Sequence, residues 1–175
     1  MSKDKKTNLS ELRQLDLKEP GDLTIGVVVA KWNLEVTSAL YDGCHDTLLH
    51  YGIDASNITK IEVPGSYELP MGAKNLLSRE KYAAIICLGC VIKGETPHNE
   101  YINHSVASAL MHLSLASNTP CIFGVLTPLN MEQALERSGG KHGNKGVESA
   151  VAALEMISLD QQLDKKSRSI GFLKS

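Results

Sequence analysis

Nowhere in its 175 residues does this chain offer the roughly 18 consecutive apolar residues that a membrane span needs. Residues 1–20 are polar and charged, without the apolar centre of a secretion signal. A cytoplasmic protein with no membrane partner is the expectation. There is no basic excess either: 18 Lys and Arg stand against 20 Asp and Glu, the formal net charge is −2, and the cations are scattered. That argues against nucleic acid as a partner, because nucleic-acid binders carry a clustered basic footprint. Internal repeats and low-complexity blocks are missing too. What is left fits a single domain, large enough to bury roughly two thirds of its unfolded surface, with small molecules or proteins as partners.

Cysteine is scarce and badly placed for a disulfide framework. Cys44, Cys87, Cys90 and Cys121 lie inside apolar segments, as reduced, buried thiols do. Cys87 and Cys90 spell CxxC, a spacing found in redox and zinc sites. They fall in AAIICLGCVI, which reads as a strand, and there residues three apart point to opposite faces. No second Cys pair or spaced His pair completes a metal site. Neither metal ligation nor redox work is expected of this pair.

What is present is an alternation. LTIGVVVAKW, residues 23–32, is the β-branched run of a strand buried on both faces. From Asn33, an N-cap candidate, Val36, Leu40, Cys44 and Leu48 recur every four residues up to Gly52, a helix with its stop. A strand over 58–63 follows, then a helix capped by Ser66 with Leu69, Ala73, Leu76 and Leu77 on one stripe. Residues 82–92 form the third strand; Ile102, Val106, Ala109, Leu110 and Leu113 mark the next helix, and 121–127 the fourth strand. Asn130 and Gln133 make a capping box for a short helix, and Asn144 opens a last long one through Val147, Val151, Leu154, Ile157 and Leu163. Four strand-then-helix units imply a doubly wound α/β fold, a parallel sheet with helices on both faces.

Open parallel sheets bind ligands beyond the carboxyl ends of their strands. The residues to examine are therefore Trp32 and Asn33, the stretch 64–68, the stretch 90–98, and the surroundings of Thr127. Thr96 and Pro97 form a favourable cap and first-helical pair that places His98 in an opening turn, where free amides can face an anion such as phosphate. His98 reads either as a proton carrier or as a capping residue. The lone Trp32 reads as a stacking platform or as core filler. Glu68 reads as a carboxylate complementing a helix dipole or as a ligand contact, and Arg137 as solvated or functional. GGKHGNKG, residues 139–146, is glycine-rich and basic, but it lacks the spacing of a phosphate-binding loop and follows a helix.

Five stretches taken together carry a resemblance: KWN at 31–33, VPGSYELP at 63–70, GCVIKGETPH at 89–98, IFGVLT at 122–127 and QALERSGGKHGNKG at 133–146. In this order and spacing the chain resembles the lumazine synthase family, from about residue 23 to 159. The resemblance implies a three-layer, flavodoxin-like sheet of four parallel strands. It divides the chain into an N-terminal extension over 1–20, treated as flexible, the domain over 21–160 and a C-terminal tail over 161–175.

It further implies a transferase of riboflavin biosynthesis that needs no metal or redox cofactor. Such an enzyme condenses 5-amino-6-ribitylamino-uracil with 3,4-dihydroxy-2-butanone 4-phosphate and releases phosphate and water. By position, Trp32 would stack on the pyrimidine, Ser66, Tyr67 and Glu68 would hold the pyrimidine and ribityl side, and Cys90, Val91 and Ile92 would line the pocket largely through backbone groups. Glu95, Thr96 and Arg137 would take the phosphate, His98 would carry protons, Phe123 would close the site and Lys145 would contact the ribityl chain. Phe123 and Arg137 would come from a neighbouring subunit, making the site an interface of a homopentamer, with a sixty-subunit shell favoured by the short GGKHGNKG connection. Asn99 departs from the aromatic that the family usually has after the histidine. The alternatives are a non-catalytic flavin- or lumazine-binding module and a shell protein with a vestigial site.

Overall fold

The computed structural model describes Leu12 and residues 14–170, the last six of them as backbone only. The chain runs β1 (Ile25–Ala30), α1 (Leu34–His50), β2 (Ile58–Val63), α2 (Leu69–Leu77), β3 (Ala84–Cys90), α3 (His98–Ser117), β4 (Cys121–Leu126), α4 (Met131–Glu136), a small hairpin of β5 (Ser138–Gly140) and β6 (Gly143–Asn144), and α5 (Lys145–Ile170). The four long strands form one parallel sheet in the order β2-β1-β3-β4. The order reverses at β1. The chain first steps from β1 to β2, then returns across β1 to β3 and continues to β4, so a crevice opens at the carboxyl ends of β1 and β3.

The burial of each strand follows its place. β1 and β3, in the centre, are buried at every position, whereas the edge strands β2 and β4 are only partly covered. The open edge of β2 carries Lys60 and Glu62, paired at 3.0 Å, and charges at an edge discourage further strand pairing. One face of the sheet packs Val27, Val29, Ile86 and Leu88 against Val36, Leu40, Cys44 and Leu48 of α1 and against Ala150, Ala153, Leu154 and Ile157 of α5. The other packs Val28, Ile85, Cys87 and Val125 against Leu69, Ala73 and Leu76 of α2 and Val106 and Leu110 of α3. Cys87 and Cys90 fall in these two opposite clusters, as strand geometry requires.

Helix ends follow local chemistry. Gly52, with φ of 86°, closes α1: its amide donates to Leu49 O at 3.0 Å, and the amide of Ile53 donates to Leu48 O at 3.1 Å. Those two bonds are a Schellman stop, and Ile53 and Leu48 are both buried beside it. Asn130 accepts from the Gln133 amide at 2.9 Å as expected, but Gln133 returns its oxygen to the Leu129 amide, one residue before the cap. Asn144 opens α5 by accepting from the amides of Gly146 and Val147.

Several local expectations are corrected. Asn33 does not cap α1 with its side chain; it sits in the left-handed region at φ 59°. Ser66 does not cap α2 either, because a single 3-10 turn, Ser66–Glu68, precedes that helix. α3 begins at His98 with Pro97, not Thr96, in the cap position and no side-chain cap. The flexible extension assigned to residues 1–20 reads differently where it is described. Leu15 and Leu17 pack on the core, Ser158 donates to Asp16 O at 2.8 Å, and Lys18 and Gln161 exchange hydrogen bonds. Within the tail assigned to 161–175, α5 continues as helix to Ile170, with Leu163 exposed. Residues 1–11, 13 and 171–175 lie outside the described residues.

Candidate active site

The crevice is built where the ladder of the sheet continues past its strands. Lys31 and Trp32 donate to Val63 O and Pro64 O at 2.9 and 3.2 Å, which carries the exit of β1 alongside the exit of β2. The left-handed backbone of Asn33 then turns its amide across to Cys90 O at 3.0 Å, tying β1 to β3. Trp32 is 64% exposed. Its ring lies over the backbone of Gly65, where a Cβ would come within 2.6 Å of Cε3. An indole this free does not serve as core filling within the chain.

Gly65 donates to Glu68 Oε2 at 3.0 Å, so the carboxylate is held over the turn by its own backbone. Ser66 is buried with its hydroxyl against Gly89, where a Cβ would approach within 2.5 Å. Tyr67, on the same turn, is exposed. Cys90 is buried, and burial pushes its thiol up to about 11, so this sulfur stays a neutral wall atom. Val91 and Ile92 pack on opposite sides of the sheet. The Val91 amide is committed to Leu126 O at 2.8 Å and the Lys93 amide to Pro128 O at 2.9 Å. Glu95, Thr96 and His98 follow on the surface, with His98 as the first residue of α3. Beside it the side-chain oxygens of Asn99 and Asn103, one helical turn apart, are buried without a hydrogen-bond partner among the described residues.

A second constellation lies beyond β4. Val125, Leu126, Thr127, Pro128, Gln133, Glu136, Arg137, His142 and Lys145 line an open cleft of about 450 Å³. At its base Arg137 meets Glu148 twice, Nη1 to Oε1 at 2.7 Å and Nη2 to Oε2 at 2.9 Å, and Lys145 reaches Oε2 at 3.2 Å. The Glu148 side chain is only 6% exposed. Its burial works to raise its pKa, but the hydrogen bond from Arg137 and the charges of Lys145 and Arg137 outweigh that and hold the carboxyl below its ordinary range. Arg137 Nη1 also donates to His142 O, and His142 Nε2 stands 3.2 Å from Glu136 Oε2.

One chain therefore brings Trp32, Ser66, Glu68 and Cys90 to one crevice and Arg137 and Lys145 to another; none of the first group lines the Arg137 cleft. Phe123 joins neither. It pairs in register with Cys87, three residues short of the end of β4, or roughly 10 Å at strand rise. Glu148 is the residue that sequence reasoning missed. The available signal was an acidic residue in the first turn of α5, three positions after Lys145, where a dipole and a cation both favour a carboxylate.

Comparison with known proteins identifies the family. The family model described as 6,7-dimethyl-8-ribityllumazine synthase matches residues 22–161. A protein of that name from Cytophaga hutchinsonii is 50% identical over 132 residues, 75% of this chain and 83% of the relative. One from Porphyromonas gingivalis is 44% identical over 154 residues, covering 88% and 96%. Another from Clostridium kluyveri is 45% identical over 142 residues, covering 81% and 92%. With a model match across most of its length and relatives this similar, the chain belongs to the 6,7-dimethyl-8-ribityllumazine synthase family.

Proposed function

We propose that the protein condenses 5-amino-6-ribitylamino-uracil with 3,4-dihydroxy-2-butanone 4-phosphate to 6,7-dimethyl-8-ribityllumazine, with release of phosphate and water. The observation that carries this reading is the crevice between β1 and β3, where an exposed indole lies over Gly65 beside the Cys90 carbonyl and the head of α3. A flat heterocycle stacks on Trp32, while Ser66, Tyr67 and Glu68 hold its pyrimidine and ribityl side. Cys90, Val91 and Ile92 wall the pocket. Glu95 and Thr96, at the start of α3, meet the phosphate with Arg137, and Lys145 touches the ribityl chain. His98 passes protons as the imine forms and phosphate leaves.

The site is shared between neighbours in a homopentamer, with Phe123 and Arg137 supplied across the interface. The failure of Phe123 and Arg137 to converge on the crevice of their own chain supports this. The tight β5–β6 hairpin of the short GGKHGNKG connection favours assembly of pentamers into a sixty-subunit shell. Among the described residues no helix is long and apolar enough to cross a membrane, and work in the cytoplasm fits the substrates. The test is to mix both substrates with purified protein, follow lumazine absorbance, and size the same sample by light scattering. Product formed well above the uncatalysed background by a particle of five or sixty chains is expected. A rate equal to background overturns the reading.

A further inference from the structure

The inward face of α3 changes character along its length. Asn99, Asn103, Val106 and Leu110 recur at alternating spacings of four, three and four, so they share one stripe of the helix. α3 packs on the Ser66–Glu68 turn, α2 and β4. Val106 and Leu110 are its buried residues and join Leu69 and Ala73 in the core, whereas the first two layers of the same stripe are carboxamides. That is the end that carries His98, and no side-chain cap holds it. The first fully buried apolar anchor, Val106, comes two turns after His98, roughly 12 Å along the axis at helix rise.

Oδ1 of Asn99 and Oδ1 of Asn103 are buried with no hydrogen-bond partner among the described residues. Leaving a buried carbonyl unpaired is costly, and folded proteins nearly always supply a partner, from the protein or from ordered water. A cation does not suit the place, because two neutral oxygens without a carboxylate fall short of the roughly six oxygens a hard cation takes. Water does suit it. Its two hydrogens can serve two acceptors on side chains about 5–6 Å apart, as neighbours one turn apart are, and because water also accepts, it serves a carboxamide turned either way. On the facing turn Ser66 is buried, and its hydroxyl forms no hydrogen bond among the described residues. It supplies the third partner that a buried water commonly has.

We propose that Asn99 and Asn103 form the binding site of one buried water, which donates to both Oδ1 atoms, accepts from the Ser66 hydroxyl and so fixes the head of α3, with His98, against the Ser66–Glu68 turn. The two asparagines are positioning residues and touch no substrate. The inference rests on the reading of His98 as the proton carrier and deepens it, because it names what holds that histidine's helix in place where neither a cap nor an apolar layer does.

The experiment has a structural and a kinetic arm. A crystal structure of the full chain, at a resolution that shows ordered solvent, is expected to place one water about 2.5–3.0 Å from both Oδ1 atoms and from Ser66 Oγ. Dry oxygens, or a donor of a neighbouring copy at that point, overturn the proposal. The kinetic arm compares wild type with Asn99→Leu, Asn103→Leu and Asn99→Ser, each also in a His98→Ala background. Leucine keeps the size but accepts nothing, so either Leu variant should lower kcat about fivefold, the weight of one neutral hydrogen bond, with KM for both substrates within about twofold of wild type. Asn99→Ser keeps an oxygen and leaves room for a second water, so it should recover kcat to within about twofold. In the His98→Ala background the Leu substitutions should cost nothing more, because a positioning residue has nothing left to position. Losses that multiply with that of His98→Ala, an Asn99→Ser enzyme as slow as Asn99→Leu, or Leu variants as fast as wild type overturn the positioning role. Should a Leu variant fail to fold, the solvent density of the wild type and the rate of Asn99→Ser decide in its place. If His98→Ala alone leaves turnover unchanged, the reading of His98 falls, and the crystal structure still judges the water site separately.

Discussion

The side-chain amide of Asn33 donates to the carbonyl oxygen of Cys90 at 3.0 Å across 57 residues of sequence, and this bond closes the floor of the crevice between β1 and β3. Asn33 does so from a left-handed backbone at φ 59°. Replacing it separates two effects. Asn33→Ala loses the bond and also strains the backbone, and should cost about 1–3 kcal/mol. Asn33→Gly loses the bond alone and should cost about 1 kcal/mol. Urea unfolding of both variants checks this; equal costs would mean that the left-handed turn carries no strain.

Trp32 is largely exposed and is the chain's only tryptophan. Trp32→Ala should therefore leave unfolding within about 0.5 kcal/mol of wild type, as for other surface positions. Binding of the pyrimidine should weaken by about 1 kcal/mol, roughly fivefold, the scale of an aromatic stack. Quenching of the single indole by the pyrimidine reads this directly in the wild type, and calorimetry reads it in the variant.

His98→Ala should lower turnover by up to ~10², the low end for general acid–base catalysis, with both KM values nearly unchanged. Single-turnover absorbance measures the chemical step apart from release. An unaltered rate removes His98 from the proton transfers.

The depressed pKa of Glu148 sets a pH dependence with a definite sign. A carboxyl whose folded value lies below its unfolded value, near 4.5, contributes stability that is fully present above pH 4.5. That stability is lost as the pH falls through the lower folded value. The stability gap between wild type and Glu148→Gln should thus be constant at neutral pH and close on acidification below about 4.5. Denaturant titrations across that range supply the measurement; a gap that persists at the acid end would mean that the pairing with Arg137 and Lys145 is not its source.

The fold was legible because its signals are periodic and local. The continuous apolar runs of β1 and β3, and the four-residue spacing of Val36, Leu40, Cys44 and Leu48, leave one consistent arrangement of strands and helices. Boundaries were less so, since the left-handed turn at Asn33 and the 3-10 turn at Ser66–Glu68 depend on contacts with Cys90 and Gly89 that lie far off in sequence. Trp32 and Glu68 could be flagged by position, but the contact of the indole with Gly65 and the capture of the carboxylate by the Gly65 amide are tertiary facts. Glu148 was hidden for a different reason. An acidic residue in a first helical turn is commonplace, and only the packing that buries it against Arg137 and Lys145 sets it apart. The docking of residues 14–18 on α5 was invisible for want of any periodic pattern in so short a stretch.

The separation of the Arg137 cleft from the Trp32 crevice has a genetic consequence. If each working centre takes its histidine from one chain and its arginine from the next, two impaired variants should repair one another. Chains carrying Arg137→Ala and chains carrying His98→Ala, each impaired alone, would regain activity when unfolded together and reassembled. Random mixing around a ring with head-to-tail interfaces gives an intact centre at about a quarter of the positions. No such recovery is expected if every centre is completed within its own chain, and coexpression of the two variants in a riboflavin-requiring strain would separate the two cases by growth.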